Sequence, residues 1–281
     1  MNENIKHPFI EFVEKFYKRK IAVISLGFIC LLFVIAIFQP MTHDINHADY
    51  ENLLAAPSLD HWFGTDEYGR DLFSRVVAGT RLSLFVSLTS VSIGAIIGSI
   101  LGLVAGYYGG KIENIIMRSC DVMFSFPGLL LAIGIVAIIG PGLINVIIAI
   151  AIYGIPSFTR IIRSSTITLK KQLYVEACKS IGVSDRRILF LHIFPGTFSA
   201  LIVTLTMRIG TAIISAASLS FLGFGASPTK PDWGAMLSTG RDYIGLAPHM
   251  LFYPGLMIFL TVLAFNLLGD GLRDALDPKL N

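Results

Sequence analysis

Charged residues are scarce in this chain of 281 residues. Asp, Glu, Lys and Arg together make up 15% of it, whereas a typical soluble domain carries about a quarter. Hydrophobic residues make up 54%, and the mean hydropathy is +0.70. The net charge is only +3, which gives no electrostatic support for binding to nucleic acid. These deficits predict a protein of the lipid bilayer and argue against a nucleic-acid partner.

Cysteine is also rare. The three that are present, Cys30, Cys120 and Cys178, lie far apart, form no CxxC pair, and fall in or near apolar segments. That spacing argues against both a disulfide framework and a zinc site. It predicts cysteines that act as small packed apolar side chains.

Long uncharged runs are the dominant pattern. A bilayer core of about 30 Å needs roughly 20 apolar residues as a helix. One uncharged run, 122–159, is too long for a single helix, and Gly140-Pro141-Gly142 at its middle predicts a tight turn. We therefore predict an all-α polytopic membrane protein. Its six transmembrane helices are expected at 21–38, 82–108, 122–140, 143–159, 197–221 and 251–268.

Six spans place both ends of the chain on one side of the membrane. Most of the 22 basic residues fall on the side of the N-terminal tail, so the positive-inside rule predicts cytoplasmic termini. The predicted segments are a cytoplasmic N-terminal amphipathic segment (1–20), a first transmembrane helix (21–38), an extracytoplasmic loop (39–80), a core with five transmembrane helices and a cytoplasmic loop at 160–196 (81–270), and a cytoplasmic tail (271–281).

Glycine recurs at every fourth position of the second predicted span, at Gly94, Gly98, Gly102 and Gly106. A stripe of small residues lets two helix backbones approach closely. We predict a packing feature here rather than a ligand site.

The cytoplasmic loop contains a structured segment, residues 170–196, which we call the knob. Lys170 to Lys179 is polar and rich in helix formers, and Gly182 stands where that helix should end. Ser184 and Asp185 are N-cap candidates for a second short helix. Pro195 marks entry into the fifth span. The pattern predicts a rigid helix-turn-helix, which either docks a partner or caps the bundle.

A family resemblance is carried by the knob. Glu176-Ala177-Cys178, then Gly182, then Phe194-Pro195 resemble the EAA loop of ATP-binding-cassette (ABC) importer permeases. The chain departs from the common pattern at Cys178, at Phe194 and at His192, where that family commonly has alanine, leucine and isoleucine. The coupling positions that the resemblance implies are Glu176, Ala177, Cys178, Gly182, Asp185, Arg186 and Pro195.

The implied roles at these positions differ. Glu176 would form an ion pair or hydrogen bond in a groove of the ATPase, and Gly182 would set the turn. Arg186 and Arg187 remain open to a second interpretation as solvated flanking charges.

Longer motifs narrow the family. The segments 61–84, 217–225, 231–237 and 265–278 are similar to the second (C-type) of the two paired permease subunits in the dipeptide, oligopeptide and nickel branch. The chain most resembles the permeases for dipeptides, oligopeptides and glutathione. A nickel or metal-chelate importer remains the alternative substrate class.

The resemblance implies a type I ABC importer fold in the bacterial cytoplasmic (inner) membrane. It also implies three kinds of partner: a homologous sister permease subunit, two cytosolic ATP-binding subunits and an extracytoplasmic solute-binding protein. No cofactor is implied in this chain, because ATP and Mg²⁺ are bound by the ATPase subunits. The segment 105–112 accords with a non-catalytic chain, since it lacks the first glycine and the Ser/Thr of a phosphate-binding loop.

Arg208 stands about eleven residues into the fifth predicted span. An arginine at the centre of a membrane helix costs about 2.5–3.5 kcal/mol on insertion scales, so it should face a wet cavity or a carboxylate. We weigh a role in the translocation path, where it attracts a substrate carboxylate, against a structural ion pair or an earlier helix start.

Two clusters lie in the outer loop. Asp66, Glu67, Arg70 and Asp71 could contact a binding protein or brace the loop through ion pairs. His43 and His47, four residues apart, suggest a nickel-related site only weakly.

Two other function classes fit the composition less well. An ion-coupled secondary transporter usually shows paired intramembrane acids or broken helices in two repeated halves, and neither is seen here. An intramembrane enzyme needs polar groups inside the spans, and Arg208 and Asn266 suggest no reaction.

Overall fold

The computed structural model describes residues 8–276, apart from residue 42 and residues 226–229. Within these ranges the regular structure is helical, and the one β-bridge joins Thr65 to Asp71. Five helices are long and apolar enough to cross a membrane, and a bent helix pair brings the number to six if it counts as one span. The all-α polytopic class is confirmed.

The first two helices are α1 (Pro8–Lys18) and α2 (Lys20–Phe38). The start of the predicted amphipathic segment, residues 1–7, lies outside the described residues. On α1 the side chain of Phe16 is buried in the main core. Arg19, between the two helices, pairs with Asp274 near the end of the chain at 3.1 Å. The two ends of the described chain therefore meet at one end of the bundle.

Helix α3 (Leu72–Tyr108) is the central element, and it begins ten residues before the predicted start at 82. The cause is Asp71, whose carboxylate accepts a hydrogen bond from the backbone N–H of Ser74 at 2.8 Å and caps the helix. The predicted extracytoplasmic loop over 39–80 is therefore wrong at its end, because residues 72–80 are helical.

The prediction of one helix over 122–140 is also wrong. Residues of this region form α4 (Gly110–Phe124) and α5 (Gly128–Ile139), which meet at an angle of 91°. An ion pair joins α4 to α6: Nε of Arg163 on α6 donates a hydrogen bond to the carboxylate of Glu113 on α4 at 2.7 Å. With 12 residues α5 is about 18 Å long, too short to cross a bilayer alone.

Helix α6 (Leu143–Lys170) runs eleven residues past the predicted end of the fourth span at 159. It packs along α3 over most of its length. The glycine stripe explains this: a Cβ on Gly98 would lie 2.7 Å from the backbone oxygen of Ile155, and one on Gly102 would lie 2.6 Å from that of Thr159. The predicted packing role of the stripe is confirmed.

The knob begins with α7 (Leu173–Ser180) and α8 (Asp185–Arg187). A π-helical turn over Ile188–Ile193 and a 3₁₀ turn over Phe194–Thr197 follow, and they lead without a loop into α9 (Phe198–Phe221). Pro195 lies in the 3₁₀ turn. A proline cannot donate the hydrogen bond of a regular helix, and the wider turn before it accommodates the change.

Two further helices complete the fold, α10 (Trp233–Arg241) and α11 (His249–Leu276). Helix α10 is fixed by Trp233, which is buried and whose indole N–H donates to the carbonyl of Val76 at 3.0 Å. Helix α11 packs against α2 and α9, and it extends six residues beyond the predicted boundary of the core at 270.

Candidate functional site

The knob is attached to the membrane helices by a small apolar core of its own. Val175, Ile188 and Ile193 are fully buried there. They pack with Leu103 of α3 and Ile162 of α6 in one cluster, separate from the main core of the bundle. Because both membrane helices contribute, the knob is held at two points and is not a loose connection.

Tyr107, at the end of α3, adds polar contacts to this attachment. Its hydroxyl donates to the carboxylate of Asp185, and its backbone oxygen accepts from the ammonium of Lys170. The ammonium groups of Lys170 and Lys179 each lie 5.3 Å from the centre of its ring. Asp185 is thus bonded inside the chain, while Ser184 holds the N-cap position without a side-chain capping bond.

The other predicted coupling positions lie on the outside of the knob. Glu176, Ala177, Gly182, Arg186 and Pro195 are exposed, whereas Cys178 is half-buried against the knob core. Gly182 has a φ of +76°, and a Cβ added to it would have no atom within 4 Å. The left-handed backbone, and not a lack of space, therefore requires glycine at this turn.

Sequence reasoning missed two strongly exposed apolar side chains of the knob. Leu173 is 81% exposed and lies at the start of α7, and Ile181 is 79% exposed and follows its end. The signal was present, because Val175 and Cys178 are three apart and define the buried face of this short helix. Large apolar residues off that face are candidates for contact with another protein.

Arg208 is half-buried on α9. Its guanidinium lies 5.1 Å from the ring centre of Tyr153 on α6. The hydroxyl of Tyr153 in turn lies 2.7 Å from the Ser215 hydroxyl. Among the described residues, no carboxylate forms an ion pair with Arg208, so the alternative of a structural ion pair finds no support there.

The alternative was that the helix starts earlier than predicted. Although α9 itself begins at Phe198, helical turns lead into it from Asp185, so the helical path does start before the predicted residue 197. Arg208 nevertheless stands thirteen residues before the end of α9 at Phe221, about 20 Å along the helix. That places it within the thickness of a bilayer core of about 30 Å.

A row of hydroxyl groups accompanies Arg208 along α9. The residues recur at helical spacing and share one face of the helix. Each hydroxyl donates to a backbone carbonyl of the preceding turn and keeps acceptor capacity. We call this face, which consists of Thr204, Arg208, Thr211, Ser215 and Ser218, the polar stripe.

The outer acidic and basic cluster is largely buried. Asp66 is 3% exposed and accepts from Arg70 Nε at 2.7 Å, with Arg75 Nε at 3.3 Å. Burial, together with the charge of neighbouring Asp66, raises the pKa of Glu67. This geometry favours the bracing interpretation for Asp66 and Arg70, since their charges are paired within the loop.

A cavity of about 660 Å³ opens beside the braced loop. Glu67, Lys230, Arg241 and Asp242 line it, so its wall carries both signs of charge. Asp232 also lines it and is buried, and burial raises the pKa of its carboxyl group. The cavity lies at the end of the bundle opposite to the knob.

The predicted pairing of His43 with His47 does not describe the outer histidines well. In the described residues the group with metal-ligand spacing consists of His43, His61 and Asp71, and His47 is not part of it. Sequence spacing could not show this, because His61 lies eighteen residues after His43.

Comparison with known families supports a membrane transport component. The model for "binding-protein-dependent transport system inner membrane component" matches residues 98–281. The model for the "N-terminal TM domain of oligopeptide transport permease C" matches residues 7–57. Together they cover most of the chain.

Curated relatives match along almost the whole length. The "glutathione transport system permease protein GsiD" of Pectobacterium atrosepticum is 52% identical over 282 residues, covering 99% of this chain and 94% of that protein. The protein of the same name from Escherichia coli is 54% identical and covers 99% and 93%.

Two solved structures share the fold at low identity. A chain of the inward-facing MetNI methionine ABC transporter aligns with a TM-score of 0.59 and 18% identity, over 72% of this chain and 97% of that chain. A chain of an amino acid ABC transporter with histidines aligns with a TM-score of 0.52 and 19% identity, over 72% and 94%.

Proposed function

Since the chain belongs to the family of binding-protein-dependent transport system inner membrane components, we propose that it is the permease subunit through which an ATP-driven importer carries glutathione or a small peptide into the cell. The observation that carries the substrate class is the identity of 52–54% to permeases named for glutathione, over 99% of this chain. As a permease of a binding-protein-dependent system, it works with ATPase subunits and a binding protein.

The finer arrangement is part of the same proposal. A homologous sister subunit completes the path, two cytosolic subunits bind ATP and Mg²⁺, and this chain catalyses no reaction itself. Both termini and the knob lie in the cytoplasm, as the distribution of basic residues indicates. The cavity beside the outer loop then faces the binding protein.

The knob is the docking surface for an ATPase subunit in this proposal. Glu176 and Arg186 offer charges, and Ile181 and Leu173 offer exposed apolar surface beside them. Interfaces of this kind combine an apolar anchor with a polar rim. The attachment of the knob to α3 and α6 lets it transmit a rigid-body movement to the membrane helices.

The polar stripe of α9 lines the translocation path. Five polar side chains on one face of a membrane helix are costly against lipid, and they are expected to face a water-filled space or protein. Arg208 supplies the positive charge. At neutral pH glutathione carries two carboxylates and one protonated amine, so its net charge is negative. An arginine in the path complements that charge.

The function is tested by uptake in cells that lack their own peptide and glutathione importers. We expect cells that express this chain with its neighbouring transporter genes to accumulate radiolabelled glutathione, and to lose this uptake when this chain alone is deleted. Uptake of labelled dipeptide would shift the substrate within the proposed class. Accumulation of ⁶³Ni alone would contradict the peptide proposal.

Replacing Arg208 with glutamine is expected to lower glutathione uptake at least about tenfold, since an arginine–carboxylate hydrogen bond of about 1.5–3 kcal/mol is lost. The effect should appear mainly as a raised KM for transport. Arg208→Lys keeps the charge and should retain more activity. Co-purification of the partner subunits should not change, and loss of assembly in Arg208→Gln would instead assign Arg208 a structural role.

A further inference from the structure

Three side chains with metal-binding atoms meet at the outer end of the bundle. They come from separate parts of the chain: His43 follows α2, His61 lies in the middle of the loop, and Asp71 caps α3. Their ligand atoms all lie within 4.8 Å of one another. Neither the family matches nor the names of the relatives refer to a metal at this place.

The two distances from the histidines to Asp71 are close to those expected around a small divalent ion. Nδ1 of His61 lies 3.0 Å from Oδ1 of Asp71, and Nδ1 of His43 lies 3.8 Å from the same oxygen. Zinc with ligand bonds of about 2.0–2.1 Å in a tetrahedral site places neighbouring ligand atoms about 3.3 Å apart. The two observed distances to Asp71 lie on both sides of that value, and the three ligand atoms all lie within 4.8 Å of one another.

The carboxylate is already oriented for this role. Oδ2 of Asp71 accepts the backbone N–H of Ser74 at 2.8 Å, so Oδ1 is turned towards both histidines. A second hydrogen bond, from the backbone N–H of His43 to Ser74 Oγ at 3.0 Å, ties the histidine segment to the same turn. Metal sites typically have such hydrogen bonds, which orient the residues that bind the metal.

The exposure of the three side chains also suits a metal site that an ion can reach from solution. Asp71 is 1% exposed at its side chain, His61 is 16% exposed and His43 is 42% exposed. The side chain of His43 therefore forms the outer face of the cluster, where an ion from solution can enter. The imidazole rings of His43 and His61 lie side by side, with centroids 4.9 Å apart and planes tilted by 36°.

We propose that His43, His61 and Asp71 bind one divalent transition-metal ion of the zinc class, with a water molecule as the fourth ligand. Two imidazoles and a carboxylate are ligands that such ions accept, and the absence of thiolate disfavours cuprous copper. The ion joins the segment after α2, the outer loop and the start of α3. Its role is to fasten the outer loop, and it does not depend on which solute the permease carries.

The proposal is tested on the full-length chain, purified in detergent with the subunits that co-purify with it and then dialysed against EDTA. Zinc is titrated in competition with a fluorescent chelator. We expect one ion per chain and a thermal midpoint that rises with zinc concentration, because an ion that binds only the folded state stabilises it.

Two histidine variants provide the matched comparison. His43→Ala removes an exposed ligand and is expected to weaken zinc binding at least tenfold and to abolish the rise in thermal midpoint. His47→Ala removes an exposed histidine of the same loop that lies outside the cluster, and it should bind as the parent does. Asp71→Asn, with the parent's elution profile as its folding check, should also lose the ion.

Two outcomes would overturn the proposal. In the first, the parent binds no zinc under these conditions, and the cluster is a hydrogen-bonded brace only. In the second, His43→Ala and His47→Ala lose binding equally, and zinc binds the surface histidines nonspecifically. Neither outcome bears on the transport function, which is measured separately by uptake.

Discussion

Replacing Ile188 with aspartate is expected to abolish uptake while the membrane helices still insert. Ile188 is fully buried at the centre of the knob core, between the knob and α3 and α6. Truncating such a side chain to alanine costs about 2–5 kcal/mol, and a buried charge without a partner costs more. The core of the knob contains only a few side chains, so its detachment from the membrane helices is the expected result.

The measurement has two parts. Uptake of labelled glutathione in cells should fall to background, and ATP hydrolysis by the purified complex should no longer respond to the binding protein. The variant should still be found in the membrane fraction, since Ile188 lies outside the main core. Normal uptake by Ile188→Asp would show that the knob does not transmit force.

A comparison with Ile181→Asp separates attachment from docking. Ile181 carries the same side chain but is 79% exposed, so its replacement should leave the thermal midpoint unchanged. It should weaken retention of the ATPase subunits during purification, because an exposed apolar anchor is lost. If both variants lower the thermal midpoint equally, the distinction between an inner and an outer knob surface is wrong.

Replacing Gly102 with leucine is expected to remove the chain from the membrane almost completely. A Cβ at this position would lie 2.6 Å from the backbone oxygen of Thr159 and 2.9 Å from Cβ of Ile162. Neither neighbour is the movable end of a long side chain, so α3 and α6 must separate. Overpacking of this kind typically costs about 1–3 kcal/mol and occasionally more, and α3 and α6 form the most extensive helix–helix contact among the described residues.

The amount of full-length protein in membranes, measured by immunoblot, checks this expectation. Gly27→Leu is the matched control, because Gly27 also lies in a membrane helix but has no atom within 4 Å of an added Cβ. It should accumulate as the parent does. Equal loss of both variants would mean that glycine matters for insertion itself and not for the contact of α3 with α6.

The membrane spans could be predicted because hydropathy depends on composition alone. The bend between α4 and α5 could not, since the uncharged run from 122 to 159 hides the break at Pro127, where α5 has its N-cap. The early start of α3 was missed because Arg75 and Arg81 are charged, and charges argue against a membrane span. The structure nevertheless includes both residues in α3, and the charge of Arg75 is paired with Asp66.

The outer surface of the knob was predictable, and its attachment was not. Glu176, Gly182 and Arg186 are exposed as a docking surface requires, and local patterns of caps and turns suffice to predict that. The contact between Tyr107 and Asp185 joins residues 78 apart. No local pattern contains such a contact, because it depends on how α3 and the knob come together in three dimensions.

No loop separates Asp185 from Phe221, so the second part of the knob, from Asp185 on, and the polar stripe lie on one continuous helical path. Arg208 stands 23 residues after Asp185, where this path begins, which is about 35 Å along the helix. A torque applied at the tip of the knob can be taken up in the π-helical turn before Pro195. Any twist that passes this turn rotates the guanidinium about the helix axis and changes which side chains it faces.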